Sequence, residues 1–256
     1  MLIIPRHRID LLDVLPVHGV IAEIGVQQGN WAEPILRISN PEQLHLVDPW
    51  AYIKDAEYQA EEANISDEEH EVFYQNVKER FKEDRKVKIH RKCFEEITEN
   101  DIPLCDWMYI DANHSFKAVT RNLHHALKFI KPNGILLCHD YTNHIGAKQM
   151  NFGVIEAVKA FCDDQQWTPV LMTNEAYPTV ALAKDPNTIT ILHDRCIRHY
   201  KHLVEVLRPW EDMSHILIGN DKNVACVYNK DSEERVSILR FTNVYKGMPL
   251  MQLNNV

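Results

Sequence analysis

The sequence predicts an α/β fold on an open, mostly parallel sheet, and three observations carry that prediction. First, short apolar runs recur and each ends on a polar tip. Ile21-Ala22-Glu23-Ile24 precedes Gly25, Leu44-His45-Leu46-Val47 precedes Asp48, Trp107-Met108-Tyr109-Ile110 precedes Asp111, and Ile135-Leu136-Leu137-Cys138 precedes His139-Asp140. Second, stretches between these runs carry apolar residues every three or four positions, the period of a helix with one buried face. Third, breaker residues such as Lys131-Pro132-Asn133-Gly134 separate helical from strand-like segments. Strands alternating with helices form parallel sheets, which collect ligands at the carboxyl ends of their strands.

The first apolar run opens into Gly25-Val26-Gln27-Gln28-Gly29, a turn that holds two of the eight glycines, and then into a helical pattern at Trp31, Ile35 and Leu36. A glycine turn between strand and helix lets the backbone fold sharply and approach a small molecule, with free helix N–H groups aimed at it. The second run ends on Asp48, and a carboxylate at that strand tip can accept both hydroxyls of a ribose. A nucleoside-containing ligand is therefore expected. Gln27 stands where the dinucleotide fingerprint has glycine, no third glycine follows at its offset, and Glu23 would repel phosphate. An adenosyl ligand with a cationic amino-acid tail fits these residues better than NAD. The plainer alternative is that Gly25 and Gly29 only shape a corner and that Asp48 only caps the next segment.

The third run leads into Asp111-Ala112-Asn113-His114-Ser115-Phe116, after which Phe116, Val119, Leu123, Leu127 and Ile130 keep helical spacing up to residues 131–134. The fourth run leads into His139-Asp140-Tyr141. Carboxyl ends of neighbouring parallel strands share one crevice, so Asp111, His114, His139 and Asp140 are expected near one another. Two carboxylates and an imidazole can chelate a divalent cation; oxygen donors suit magnesium or calcium, and added imidazole suits manganese, iron or zinc. A metal there would hold a substrate hydroxyl as its alkoxide or phenolate while His114 takes the proton. The alternative is that both aspartates cap helices and that His114 is a polar strand-end residue.

Taken in order, Glu23-Ile24-Gly25 with Gly29, Asp48-Pro49-Trp50, Tyr109-Ile110-Asp111-Ala112-Asn113-His114-Ser115-Phe116, the 131–134 breaker, His139-Asp140-Tyr141, and Gly153-Val154 with Ala157-Val158 and Phe161 resemble a class I S-adenosylmethionine-dependent methyltransferase. The set is more closely similar to the family that groups small-molecule O-methyltransferases with metal-dependent macrolide-sugar methyltransferases and cephalosporin-hydroxylase-like proteins. The resemblance implies a Rossmann-like, doubly wound, mostly parallel seven-stranded sheet over residues 1–185, with a small C-terminal α+β extension over 186–256. It implies that Glu23, Gly25 and Gly29 line the methionine part of the cofactor, that Asp48 holds its ribose and that Asp111 borders it. Asp111 and Asp140 would match the metal carboxylates, with His139 where relatives often place a second acid, and His114 would match the general base. Lys92-Cys93-Phe94 stands where the family shows Gly-x-Ser, so Phe94 would either stack on adenine or fill the core. The implied cofactors are S-adenosylmethionine and a divalent metal, magnesium or manganese, and the implied reaction is O-methylation of a sugar, polyketide or phenolic hydroxyl. An NAD-dependent oxidoreductase and a non-catalytic nucleoside-binding module are the competing readings.

Global properties agree with a soluble globular protein: 256 residues, 45% hydrophobic and 25% charged. The net charge of -9 argues against nucleic acid as a general partner, because the one dense basic stretch, residues 85–92, interleaves with the apolar residues of a strand. The short apolar start runs into charged residues and no run approaches a membrane span, so a cytoplasmic location without membrane contact is expected. The six cysteines lack Cys-x-x-Cys pairing and are expected as reduced thiols. The acidic segment 55–71 leaves the sheet beside the cofactor and reads as a solvated face or a lid, ahead of helical spacing at Val72, Phe73, Val77 and Phe81. Closing strands are expected in 169–182. Beyond residue 185, a helix-like stretch at 195–207 and strand-like runs at 216–218, 224–228 and 236–241, with turns at 219–221 and 231–233, suggest a small extra sheet. His193, Cys196, His199 and His202 recur every third residue, yet they drift around a helix and lack a partner cluster, which disfavours zinc. Substrate selection or contact within a homo-oligomer suits this extension better.

Overall fold

The computed structural model describes residues 1–4, 7–52, 65–143, 145–175, 177–200, 202–206, 216–218, 225–228, 235–236, 239–243 and 251–252. Its strands are β1 (Leu2–Ile4), β2 (Val20–Ile24), β3 (Gln43–Asp48), β4 (Val87–Arg91), β5 (Cys105–Ile110), β6 (Ile130–Cys138), β7 (Thr168–Thr173), β8 (Val180–Ala183), β9 (His202–Val206), β10 (Ile216–Ile218), β11 (Ala225–Tyr228), β12 (Arg235–Val236), β13 (Leu239–Asn243) and β14 (Met251–Gln252). The α-helices are α1 (Ala32–Pro34), α2 (Asp67–Phe81), α3 (Phe116–Ala126), α4 (Ile145–Gln149), α5 (Val154–Gln165) and α6 (Pro186–His199).

Seven strands form the doubly wound core in the order β4-β3-β2-β5-β6-β8-β7. β2 pairs in parallel with β3 and β5, β3 with β4, and β5 with β6, while β8 runs antiparallel to both β6 and β7. The sheet continues past β7 into β1, β9, β13 and β14, with β1 parallel to β7 and β9 antiparallel to β1. β10, β11 and β12 form a separate three-stranded sheet; the expected runs 216–218 and 224–228 fall on β10 and β11, whereas 236–241 divides between β12 and β13, and β13 joins the main sheet.

Local chemistry sets the helix starts. Ser66 caps α2: its hydroxyl accepts the Glu69 N–H and the Glu69 carboxylate accepts the Ser66 N–H, with Asp67, Glu68 and Glu69 complementing the helix dipole. Ser115 caps α3 through the Ala118 N–H, and Asp185 caps α6 ahead of Pro186 in the first turn. The buried faces then sort onto the two sides of the sheet. Val119, Leu123 and Ala126 of α3 and Val154, Ala157, Val158 and Phe161 of α5 pack with Met108, Ile110 and Leu136 on one side. Val77 and Phe81 of α2, Leu192 and Cys196 of α6, and Leu11, Leu12, Trp31 and Trp50 cover Ile21, Trp107, Tyr109 and Leu137 on the other.

Several expectations change in detail. Residues 195–207 do not form one helix: α6 ends at His199 and β9 begins at His202. β9 finds a hydrogen-bonding edge in β1, and that pairing overrides an ambiguous local pattern. The breaker 131–134 lies inside β6, because Ile130 already pairs with Cys105, and α3 ends before it. Cys93, Cys105, Cys138, Cys162 and Cys196 form no disulfide among the described residues. The proposed lid lies largely outside the described residues, as do the turns at 219–221 and 231–233. No helix among the described residues is long and apolar enough to cross a membrane.

Gly25 and Gly29 separate two kinds of glycine requirement. A Cβ on Gly25, at φ +86, would stand 2.1 Å from the Asp111 carbonyl oxygen, whereas on Gly29, at φ +73, it would meet Phe81 and Val77 side chains at 3.1 Å. Side chains can yield and a neighbouring backbone cannot. Gly25→Ala should therefore destabilise by about 2–4 kcal/mol and Gly29→Ala by about 1–2 kcal/mol, read from urea midpoints. Equal costs at both positions would show that the Asp111 contact is unimportant.

Candidate functional site

Register puts four strand tips in one row. Ile24 of β2 pairs with Val47 of β3 and Ile110 of β5, and Ile110 pairs with Cys138 of β6. The next residues, Gly25, Asp48, Asp111 and His139, therefore meet at one edge. Three backbone bonds tie this edge together: Gly25 N–H donates to Val47 O at 2.9 Å, Asp111 N–H to Ile24 O at 2.8 Å, and His139 N–H to Ile110 O at 3.0 Å.

The glycine turn is held from inside by Asp48. Its Oδ2 accepts the Val26 and Gln27 N–H groups, both at 2.9 Å, and its Oδ1 accepts the Trp50 N–H at 2.7 Å. Trp50, fully buried, returns its indole N–H to Gln27 O at 2.8 Å. Gln27 and Trp50 both sit at positive φ, 48 and 42, a strain the surrounding bonds maintain. Burial raises the Asp48 carboxyl, and the three backbone donors oppose that rise. Of about four acceptor sites on a carboxylate, about one remains for a ligand hydroxyl.

Beside the turn lies a cluster of charge. The buried His114 places Nε2 at 3.2 Å from Asp111 Oδ1 and 3.0 Å from Asp140 Oδ2. Burial alone would lower His114, but bonds to both aspartates overcome it and push the imidazole up to about 10. Burial likewise opposes charge on Asp111 and Asp140, while His139 and His114 hold both below the usual carboxylate range. His139 Nδ1 accepts the Asp140 N–H at 2.7 Å, with Asp140 at positive φ, 58. Phe152 closes the cluster, its ring centroid 4.7 Å from that of His114.

Glu23 sits deeper, only 1% exposed, and its Oε2 has no hydrogen-bond partner among the described residues. Burial, then Asp111 and Asp48, raise its carboxyl well above the ordinary range, while Arg8 acts against them. Arg8 is a residue the motif reading did not find. Its Nη1 donates to Tyr109 Oη at 3.0 Å and to Asp111 Oδ2 at 3.2 Å, and its guanidinium lies 5.2 Å from the Trp31 ring centroid. Burial works against the Arg8 charge, but Tyr109, Asp111 and Glu175 outweigh it and keep the group protonated. No periodic pattern marks Arg8, whose only local signal is a cation after the short apolar run Leu2-Ile3-Ile4.

The structure thus brings Glu23, Gly25, Asp48, Asp111, His114, His139 and Asp140 to one sheet edge. Gly29 instead faces α2, where its missing side chain admits Val77 and Phe81. Phe94 lies in the core, 4% exposed, with its ring against His125 at 4.9 Å and Phe129 at 6.0 Å. That packing matches the core-filling reading and leaves no face for adenine.

Donor chemistry at the cluster fits a divalent cation. Asp111, His139 and Asp140 each offer one ligand atom, all within 4.8 Å of one another, and they are the one such group among the described residues. Among the described residues, His193, Cys196 and His199 do not form one. In the metal-free protein the cluster links stability to pH. The raised His114 value makes its contribution complete below its ordinary 6.5 and lost as pH climbs towards about 10. The depressed aspartates contribute fully above their ordinary 3.8 and lose that contribution as pH falls. The urea midpoint of metal-stripped protein should therefore be higher near about pH 6 than near about pH 9.5, and His114→Asn should shrink that difference. An unchanged alkaline drop in the variant would assign it to other groups.

Comparison with known proteins accords with this geometry. Residues 22–141 match the model of a family described as a methyltransferase domain. No curated protein sequence matches the chain. Among solved structures, an O-methyltransferase family protein from Burkholderia thailandensis aligns at 11% identity and TM-score 0.50, over 69% of this chain and 55% of that one. This chain thus spans just over half of that protein's length. The N-methyltransferase NodS from Bradyrhizobium japonicum WM9, in complex with S-adenosyl-L-homocysteine, aligns at 11% identity and TM-score 0.48, over 68% of this chain and 84% of its own. An rRNA methylase from Streptococcus thermophilus aligns at 13% identity and TM-score 0.46, over 69% and 93%. At these identities the likeness concerns the fold and does not select an acceptor, so the sequence-level exclusion of nucleic acid rests on charge alone. The matched segment, residues 22–141, holds the glycine turn and the acid-bearing tips of β3, β5 and β6, and with the strand order it gives this chain the Rossmann-like fold of class I S-adenosylmethionine-dependent methyltransferases.

Proposed function

We propose that the protein methylates a hydroxyl group of a small molecule, a sugar, polyketide or phenol, with a divalent metal held by Asp111, His139 and Asp140. The observation that supports this reading is the placement of His114 between two carboxylates beside the glycine turn, a constellation that donor binding alone does not require. Methyl transfer is an in-line displacement at a sulfonium, so positioning is the main task and can supply about 7–11 kcal/mol of the barrier. The Asp48-braced turn would seat the nucleoside, with the remaining Asp48 acceptor site turned to a ribose hydroxyl and Glu23 facing the donor's ammonium. A divalent cation at the cluster would polarise the acceptor hydroxyl and offset the negative charge that keeps His114 protonated. His114 would first release its own proton to solvent and then, as neutral imidazole, accept the hydroxyl proton while the oxygen attacks the methyl carbon and the sulfonium C–S bond breaks. Phe152, packed on His114, would keep water from that second proton transfer.

Isothermal titration of metal-stripped protein with S-adenosylhomocysteine, repeated with magnesium or manganese and with NAD as control, tests the donor and the metal. Turnover on a panel of phenolic and sugar acceptors, alongside amine and RNA acceptors, tests the rest. His114→Ala should lower kcat about 10²–10⁴-fold with donor affinity preserved, and Asp140→Asn should weaken metal binding. Full turnover without added metal and in both variants would refute the metal-assisted mechanism. Transfer to amine or RNA alone would refute the hydroxyl acceptor.

A further inference from the structure

Arg8 lies upstream of the segment matched by the family model, which begins at residue 22, yet its side chain reaches the strand tips. It is held there by more than one contact. Its backbone N–H donates to Glu175 Oε1 at 2.8 Å, and the same oxygen accepts the Thr173 hydroxyl at 2.7 Å, which fixes Glu175 at the end of β7. Trp31 lies against the guanidinium and Tyr109 and Asp111 take Nη1. Nε and Nη2 bond none of the described residues, and the side chain is 35% exposed. An arginine used only to neutralise Asp111 would not need this scaffold. Half of its planar fork is preset and open, the geometry that takes a carboxylate through two parallel hydrogen bonds.

A complementary group lies on the same face of the sheet. Glu23 and Tyr109 are register partners on β2 and β5, so their side chains stand side by side, and Arg8 bonds the Tyr109 hydroxyl. The buried, unpartnered Glu23 Oε2 therefore lies in the neighbourhood of the Arg8 fork. A buried carboxylate oxygen without a donor and an arginine with unused donors together match a zwitterion, whose ammonium satisfies the first and whose carboxylate satisfies the second.

We propose that Arg8 binds the carboxylate of the amino-acid end of the methyl donor while Glu23 receives its ammonium, so that the N-terminal segment supplies half of the donor's head-group site. This rests on the reading that an S-adenosyl amino acid binds at the Gly25 turn. Arg8 keeps its Nη1 bonds to Tyr109 and Asp111 and adds the carboxylate through Nε and Nη2, so binding breaks no contact in the protein.

Calorimetry with three ligands tests this on the full chain: S-adenosylhomocysteine, its decarboxylated analogue, which keeps the amine, and methylthioadenosine, which lacks the amino-acid head. Arg8→Ala should weaken S-adenosylhomocysteine about 10- to 100-fold and leave the other two within about twofold of wild type. Arg8→Lys, which keeps the charge but not the fork, should lose less, and again only for the carboxylate-bearing ligand. Thermal midpoints of both variants check folding; if Arg8→Ala does not fold, Arg8→Lys carries the same ligand comparison. Unchanged S-adenosylhomocysteine affinity in both variants, or an equal loss for all three ligands, would overturn the assignment to Arg8 while leaving the donor reading intact. Failure of wild-type protein to bind S-adenosylhomocysteine would overturn the donor reading itself, and the Arg8 assignment with it.

Discussion

The site depends on the close approach of the Gly25 turn to the Asp111 backbone. β2 and β5 end side by side, and the chain leaving β2 has to reverse against the carbonyl of the residue that ends its neighbour. Only a residue without Cβ and tolerant of positive φ can stand there. Once Gly25 makes that turn, the backbone amides of Val26 and Gln27 point at Asp48, and the Asp48 carboxylate locks them in place. Trp50 then closes the loop from the β3 side through its backbone and its indole. The row of strand tips is thus one hydrogen-bonded unit, and displacing any member would shift the others.

Electrostatics is the second constraint. Glu23, Asp48, Asp111 and Asp140 converge at one sheet edge, and four acids in a partly dry crevice would repel one another unless offset. Two devices offset them. His114 bridges Asp111 and Asp140, and Arg8 pairs with the other oxygen of Asp111. Asp48 is stabilised differently, by three backbone dipoles, whereas Glu23 Oε2 has no hydrogen-bond partner among the described residues and burial raises its carboxyl. A site with this balance suits cationic ligands, which is the common chemistry of a sulfonium, an ammonium and a divalent metal.

Much of this site was legible from residues alone, for physical reasons. A buried parallel strand reads as a continuous apolar run, and its tip is where polarity returns, so Asp48, Asp111 and His139-Asp140 announced themselves. Periodicity also placed the later turns of α2 and the start of α3, although the helical spacing read as far as Ile130 outruns α3, which ends at Ala126. Phe94 could not be assigned from its position, since an aromatic after a strand serves core and ligand equally well; packing against His125 and Phe129 resolves it. Gly29 looked like a ligand-facing glycine, yet its missing Cβ makes room for α2, a contact between segments nearly fifty residues apart. β9 carried a helix-compatible pattern and became a strand because β1 offered it an edge.

The sequence by itself determined the alternation of strands and helices, the positive-φ turn at Gly25 and the chemistry available at each strand tip, because these follow from local sterics and from where apolar runs end. Tertiary structure alone decided which of those tips face one another at bonding distance, that His114 bridges two aspartates, that Asp48 is largely consumed by its own loop, and that Arg8 enters the site from the N-terminus. Each of those outcomes depends on strand register and on contacts between residues far apart in the chain, and neither is encoded in any local pattern.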